Sequence, residues 1–302
     1  MNTFMREMPV SFPGLFPDLE INIDPVALHI GHGIYWYGII IAVGFLLAVL
    51  FCARRAPKYG IRQDDLYDML LIATPLGIIG ARLYYVIFYL DLFKTPEGGL
   101  DPSRVIAIWD GGLAIYGGVI AAVLTVIFFC RYKKISVGAM LDVGCMGLLI
   151  GQMIGRWGNF VNREAFGGET TLPWRMRLWE SADQFIEVHP TFLYESLWNL
   201  IGLLLIVFVL EKVRRFDGQN FAFYLFWYGL GRAWIEGLRT DSLYLFDWTI
   251  FGEPIRVSQM LSVILCVAAA AVVIYQLKIK RPDPKNLYVH RVHAGEEQKD
   301  GN

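Results

Sequence analysis

Seven long apolar blocks punctuate this chain, at about residues 34–53, 66–90, 105–130, 137–158, 191–210, 219–236 and 257–277. Each is close to the ~20 residues that a bilayer core requires of a helix. Several hold internal Gly or Pro, as in "ATPLGIIGARLYY", which a membrane helix tolerates when its neighbours satisfy the backbone. The polar stretches between blocks are not equivalent. Alternate ones carry "RRAPKYGIR", "RYKK", "EKVRR" and a tail opening "KIKRPDPK", together 16 of the 27 basic residues. Lys and Arg in short loops stay cytoplasmic, so the pattern predicts an outside N-terminus and a cytoplasmic C-terminus. The outer loops are then 91–104, 159–190 and 237–256. The expected architecture is an all-α polytopic membrane protein of about seven transmembrane helices. A small extracytoplasmic head, residues 159–190, is inserted between helices 4 and 5, and its "GGETTLPWRMRLW" has strand-like character. Residues 1–280 form the transmembrane domain, both termini contribute little, and the polar tail 281–302 is expected to lack regular structure. There are no internal repeats.

Composition sharpens this. With 55% hydrophobic and 18% charged residues, the chain falls outside the range of soluble domains. A net charge of -1 gives no reason to expect nucleic acid as a partner. Cys52, Cys130, Cys145 and Cys266 lie in or beside apolar blocks without CxxC spacing, which argues against a disulfide framework and a zinc site. His29, His32, His189, His290 and His293 share no ligand spacing, so neither metal nor cofactor is expected. No basic region followed by an apolar core and cleavage site opens the chain, so residues 1–33 are expected to remain.

Charge placement carries the candidate chemistry. Loop statistics account for Arg54, Arg55, Arg131, Arg214 and Arg215, but Arg82, Arg156, Arg232 and Arg239 lie within or at the outer ends of apolar blocks. There a charge is expensive and faces a cavity or a partner. Arg82, in "GIIGARLYYVIF", either snorkels outward, pairs with an acid, or meets a ligand. In "YGLGRAWIEGLR", Tyr228, Arg232, Glu236 and Arg239 fall on one helical face, where two arginines against one glutamate leave a positive charge for an anion. Gly147, Gly151 and Gly155 form a small-residue stripe suited to close helix packing. Arg156 follows it directly in "GRWGNFVNRE", with Asn159 and Arg163 on nearby faces, and guanidinium forks suit phosphate. Two further outer segments are "WDGGLAIYGGVI", whose paired glycines bracket Tyr116, and "HPTFLYES", where Pro190 marks a helix start beside His189 and Glu195.

These segments, in this order, resemble the bacterial phosphatidylglycerol–prolipoprotein diacylglyceryl transferase family. "YWYGIIIAVGF", "GARLYYV", "WDGGLAIYGGVI", "GRWGNFVNREAFG", "HPTFLYES" and "YGLGRAWIEGLR" carry the likeness, which runs from about residue 17 to 278; "GRWGNFVNRE" is its most specific piece. The resemblance implies transfer of the diacylglyceryl group of phosphatidylglycerol to the lipobox cysteine of a prolipoprotein signal peptide. A thioether forms and glycerol phosphate leaves. The place implied is the outer face of the bacterial cytoplasmic (inner) membrane, among membrane lipids. It also implies that Arg156 contacts the lipid head group and that Arg232 is essential, which agrees with the need for positive donors at a departing phosphate. Asn159 would hold glycerol or phosphate oxygens, Glu164 or Glu236 would orient the arginines, and Tyr37 would face the same cavity. Arg82, Tyr228 and Arg239 complete the expected substrate-binding set.

In one place the chain departs from the family pattern: many members have a histidine, proposed as the base, where this chain has Tyr116. A phenol accepts a proton less readily than an imidazole near neutral pH. Either Tyr116 acts as phenolate or hydrogen-bonding group, or the arginines favour the thiolate without a dedicated base; His189 is a possible substitute. A lipid or anion transporter or flippase is the competing class, though it should show two related halves. An inactive lipid-binding relative is the third.

Overall fold

The computed structural model describes residues 3–30, 33–95, 98–239, 244–250 and 253–300. His32 and parts of the 237–256 loop lie outside them. Among the described residues seven long helices follow one another: α1 Trp36–Arg55, α2 Gln63–Phe88, α3 Ile115–Lys133, α4 Val137–Asn162, α5 Thr191–Phe208, α6 Gln219–Leu238 and α7 Val257–Ile274. Among the described residues, six helical stretches, those of α1 to α5 and α7, are long and apolar enough to cross a membrane. The seventh, α6, has the length but includes Gln219, Asn220, Arg232 and Glu236. The chain is a mostly helical, multi-pass membrane protein.

It divides into two compact units, Met1–Cys52 with Gly144–Pro284, and Ala53–Val143 with Lys285–Asn302. The first holds a four-stranded antiparallel sheet of β1 Val10–Phe12, β2 Phe16–Ile21, β3 Met176–Trp179 and β4 Phe185–Val188, in the order β2-β1-β3-β4. In β3 burial alternates: Met176 and Leu178 are buried while Arg177 and Trp179 are half-buried, the period of two that a one-sided strand requires. The buried side chains of the sheet pack with Phe160 and Val161 at the end of α4 and Phe192 at the start of α5. The strand character of 167–179 is therefore present at its C-terminal end. The N-terminal segment, however, is no minor tail, since it supplies half of the sheet.

Arg163 ties that segment down. It is 1% exposed. Its Nε donates to the carbonyl of Met8, its Nη1 to Val161 and its Nη2 to Ile23. Arg163 and Ala165 both adopt the left-handed region, φ 51° and 57°, where α4 stops. This arginine of "GRWGNFVNRE" therefore works as a staple between chain segments. The helix itself runs to Asn162, so Asn159 sits with Arg156 on its last turns rather than in the loop expected from residue 159.

Helix α1 packs on α4 through part of the glycine stripe. An added Cβ at Gly147 would come 2.9 Å from Cys52 Sγ, and at Gly155 3.2 Å from Ile41 Cδ1, whereas Gly151 faces open space. Gly158 continues the line, its face covered by the Tyr37 ring.

In the second unit, α2 and α3 touch backbone to backbone, because a Cβ on Gly117 would lie 2.2 Å from the Gly80 carbonyl oxygen. The third helix begins at Ile115, ten residues later than the apolar pattern suggested. Gly111 and Gly112 take φ 85° and 72°, which breaks the helix, and the stretch before them turns its carbonyls onto Arg82. The polar tail, expected to be irregular, holds a helix at Tyr288–Asp300. Leu287 and Val289 are buried, and Val289 lies against Gly60.

Candidate functional site

The first unit gathers its charges around one carboxylate that the sequence reading had not assigned to the site. Glu195 is on the second turn of α5, buried. Pro190 precedes this helix as its pattern suggested. The helix start is pinned to α4 by two bonds: the Ser196 hydroxyl donates to the Met153 carbonyl at 3.0 Å and accepts from Trp157 Nε1 at 3.3 Å. So held, Glu195 Oε2 lies 2.6 Å from Arg156 Nη2 of α4. Its Oε1 lies 3.6 Å from Arg232 Nη1 of α6 and 4.0 Å from Arg239 Nη1 just beyond α6. Three arginines drawn from two other segments thus share one carboxylate. A lone acid in "TFLYESLWNLIGLLLIVF" was a usable signal, because an ionisable group inside an apolar span is a functional candidate by default.

The predicted face of α6 is present. Arg232 Nη2 pairs with Glu236 Oε2 at 2.8 Å one turn on, and Glu236 is buried. Arg232 Nη1 is fully buried and makes no hydrogen bond among the described residues. From α4, Arg156 Nη1 donates to Asn159 Oδ1 at 3.3 Å, and Asn159 Nδ2 donates to Glu164 Oε1 at 2.9 Å. Arg6 approaches the other Glu164 oxygen at 3.9 Å. The arrangement brings Arg156, Asn159, Glu164, Arg232, Glu236 and Arg239 into one network linked through Glu195.

A narrow cleft opens onto this network, lined by Gln152, Arg156, Glu195, Trp198, Tyr228 and Arg232 among others. Its inner space is about 20 Å³, room for about one water molecule. Tyr228 reaches it; Tyr37 instead packs against Gly158 and does not line it. The α5–α6 contact that shapes the cleft is a tryptophan clasp. Trp198 and Trp227 stack at 4.2 Å with planes 13° apart, and each indole N–H donates to the other's carbonyl at 2.9 Å.

His189 stands just before α5, its Nδ1 3.2 Å from the Tyr194 hydroxyl. Burial lowers its pKa, so the imidazole is neutral at neutral pH. In the second unit, Arg82 is fully committed. Its five N–H groups meet the carbonyls of Val105, Gly111, Gly112, Arg104 and Ala107, and its guanidinium lies 5.1 Å from the centre of the Phe93 ring. No donor remains for a ligand. Tyr116, on the first turn of α3, is half exposed and tilted against Tyr84 at 6.3 Å. Among the described residues no cluster of metal-ligating side chains occurs.

Helices of membrane length define a multi-pass membrane protein, and a half-buried arginine network beside a narrow cleft is an arrangement suited to an anionic group. Comparison with known proteins narrows the class. Residues 25–275 match the model of the prolipoprotein diacylglyceryl transferase family. Relatives named phosphatidylglycerol–prolipoprotein diacylglyceryl transferase include those of Lysinibacillus sphaericus (strain C3-41), 42% identical over 87% of this chain and 96% of the relative, and Lactobacillus acidophilus, 43% over 87% and 93%. The Streptococcus pneumoniae (strain JJA) protein is 44% identical over 86% and 97%. The chain belongs to the prolipoprotein diacylglyceryl transferase family, and is a transferase rather than a transporter.

Proposed function

We propose that this protein transfers the diacylglyceryl group of phosphatidylglycerol to the lipobox cysteine of a prolipoprotein signal peptide, at the outer face of the cytoplasmic membrane. The observation that carries this reading is the convergence of Arg156, Arg232 and Arg239 on Glu195, within the stretch that matches the family. The thiolate sulfur attacks the glycerol carbon that bears the phosphate. The C–S bond forms, the C–O bond breaks, and its electron pair goes to a phosphate oxygen of the departing glycerol phosphate. Charge develops on that oxygen in a low-dielectric site, where Arg156 and Arg232 neutralise it. Asn159, which already accepts from Arg156, is placed for the glycerol or phosphate oxygens; Glu164 and Glu236 hold Asn159 and Arg232 in direction. Tyr228 borders the lipid head group, while Tyr37 acts one layer behind, through Gly158. Arg82 binds no lipid directly; it fixes the 104–112 backbone that leads into Tyr116. The cysteine thiol, with a pKa of about 8.5 when free, ionises under the influence of the arginines and gives its proton to water, and Tyr116 contributes hydrogen bonding rather than obligatory proton transfer. Seven crossings with an outside N-terminus, and a head formed by 159–190 with the N-terminal strands, put the cluster at the outer boundary.

The decisive experiment incubates the purified protein with phosphatidylglycerol and a lipobox peptide and looks for the diacylglyceryl adduct by mass. Adduct is expected from phosphatidylglycerol, and much less when phosphatidylethanolamine or cardiolipin replaces it. No adduct, with lipid moving between leaflets instead, would overturn the reading.

A further inference from the structure

The arginine cluster has an internal anion, and its place is informative. The Glu195 carboxylate lies between the two arginines that line the cleft, Arg156 on one oxygen and Arg232 on the other. A phosphate oxygen entering the cleft would share the same guanidiniums and stand within a few ångströms of that carboxylate. Arg232 Nη1, on the cleft wall, is buried without a hydrogen bond beside the carboxylate. The arginine network is therefore not saturated by Glu195, and the carboxylate is closer to a competitor for the ligand's place than to a full set of partners.

Resting on the function proposed above, we infer that Glu195 is a specificity-determining residue that weakens the cluster's hold on the phosphomonoester of the product more than its hold on the phosphodiester of the substrate. The physical reason is proportionality. Repulsion between a fixed carboxylate and a bound anion scales with the anion's charge. Phosphatidylglycerol presents one negative charge. Glycerol phosphate, a phosphomonoester with a second pKa near 6, carries between one and a half and two at neutral pH. Glu195 therefore opposes the product up to twice as strongly as the substrate, while the arginines alone would hold the product more tightly of the two. Without such a group, the arginines that stabilise the leaving phosphate would retain it after the C–O bond has broken. Glu195 turns a good phosphate trap into a site that releases what it makes. Its buried setting matters, since solvent would screen the same carboxylate at the surface.

The test uses the full chain in detergent or nanodiscs and two soluble probes that differ by one charge, glycerol phosphate and its methyl diester. Binding of each is measured by calorimetry, and inhibition of diacylglyceryl transfer is followed alongside, in the wild type, Glu195→Gln and Glu195→Asp. If removing the charge tightens the monoanion by about threefold, the dianion should tighten by about the square of that, roughly tenfold. Glu195→Asp should stay near the wild type for the ratio of the two, even where its shorter reach lowers turnover. Equal change for both probes, or weaker binding of both in Glu195→Gln, would show that Glu195 only scaffolds the arginines and would overturn the inference. The calorimetric ratio decides the matter even if Glu195→Gln no longer turns over. Absence of the lipid adduct with the wild-type protein would instead remove the underlying function, whatever the ratio.

Discussion

Arginines that look alike in the sequence do different work according to what the fold sets around them. Arg163 is buried and spends its guanidinium on three backbone carbonyls, and Arg82 spends all five N–H groups the same way. Arg156 and Arg232 meet carboxylates on the wall of a cleft. A sequence shows that a charge is buried in an apolar run but not whether carbonyls or a ligand will meet it, so Arg82 was legible as costly and Arg163 as a neighbour of Arg156, but neither as a clamp on backbone carbonyls. Glu195 was missed for the converse reason. The i, i+4 pattern that exposed Arg232 and Glu236 lies on one helix, whereas the partners of Glu195 come from α4 and α6. The consequence for Arg156 is specific. Its two Nη atoms are divided between Glu195 and Asn159, a fork that a single ammonium cannot reproduce. Arg156→Ala should lower the rate of adduct formation by about 100-fold or more, the usual cost of losing one donor at a developing oxyanion. Arg156→Lys should recover little of it, with the protein still inserted and folded by its elution profile. Turnover within threefold of wild type for either variant would reject a phosphate-holding role.

At the level of elements, the apolar pattern located α1, α2, α4, α5, α6 and α7 within a few residues, because burial in hydrocarbon demands long runs of mostly apolar side chains. It misplaced the start of α3, where apolar Val105, Ile106 and Ile108 continue the run but belong to a short helix, Pro102–Ile106, and a following turn that the two glycines separate from α3. It also could not foresee that residues 10–12 pair with residue 177, since strand pairing across more than 150 positions leaves no local trace. The contact that sets the cleft is the α5–α6 tryptophan clasp, and its tolerance is small. A Cβ on Gly231 would sit 2.2 Å from Trp198 Nε1, so Gly231→Val must expel the Trp198 ring from its stack and break both indole hydrogen bonds. Overpacking of this kind costs about 1–3 kcal/mol, and it moves Glu195, one turn earlier on α5, relative to Arg232, one residue later on α6. Thermal unfolding should fall and transfer should drop by more than about tenfold. Gly237→Ala is the matched control on the same helix, since its added carbon meets only Gln259 Nε2 at 3.5 Å. Equal behaviour of the two variants would mean that the clasp does not govern the site.

For the whole molecule, the number of crossings decides on which side of the membrane each segment lies, and α6 is the helix in question. Two contacts act as parity checks. Strand β1 precedes α1 and pairs with β3, which follows α4, so an even number of crossings separates them; four satisfies this. The tail after α7 meets residues before α2 and after α3: Val289 lies against Gly60, and the Tyr288 hydroxyl reaches the Lys134 carbonyl at 3.5 Å. From Lys134 to the tail the chain passes α4, α5, α6 and α7, and the seven crossings proposed above keep the number even, with α6 crossing alongside the other three. Six crossings would put the tail on the opposite side from its contacts. Yet Arg232 and Glu236 make α6 a poor span by itself, each charge costing about 2.5–3.5 kcal/mol at a helix centre on insertion scales. Crossing therefore depends on Glu195 of α5 and on the packing of α7 along α6. A reporter fused after residue 302 should read entirely cytoplasmic. The same reporter placed after residue 239, in a chain ending there, should divide between the two sides, because α6 has lost α7 but kept its charges. Glu195→Ala in that shortened chain should shift the reporter further toward the cytoplasmic side, by removing the counter-charge that Arg232 finds in the bilayer. A C-terminal reporter reading outside would reduce the crossings to six and would require the tail contacts to Gly60 and Lys134 to be abandoned.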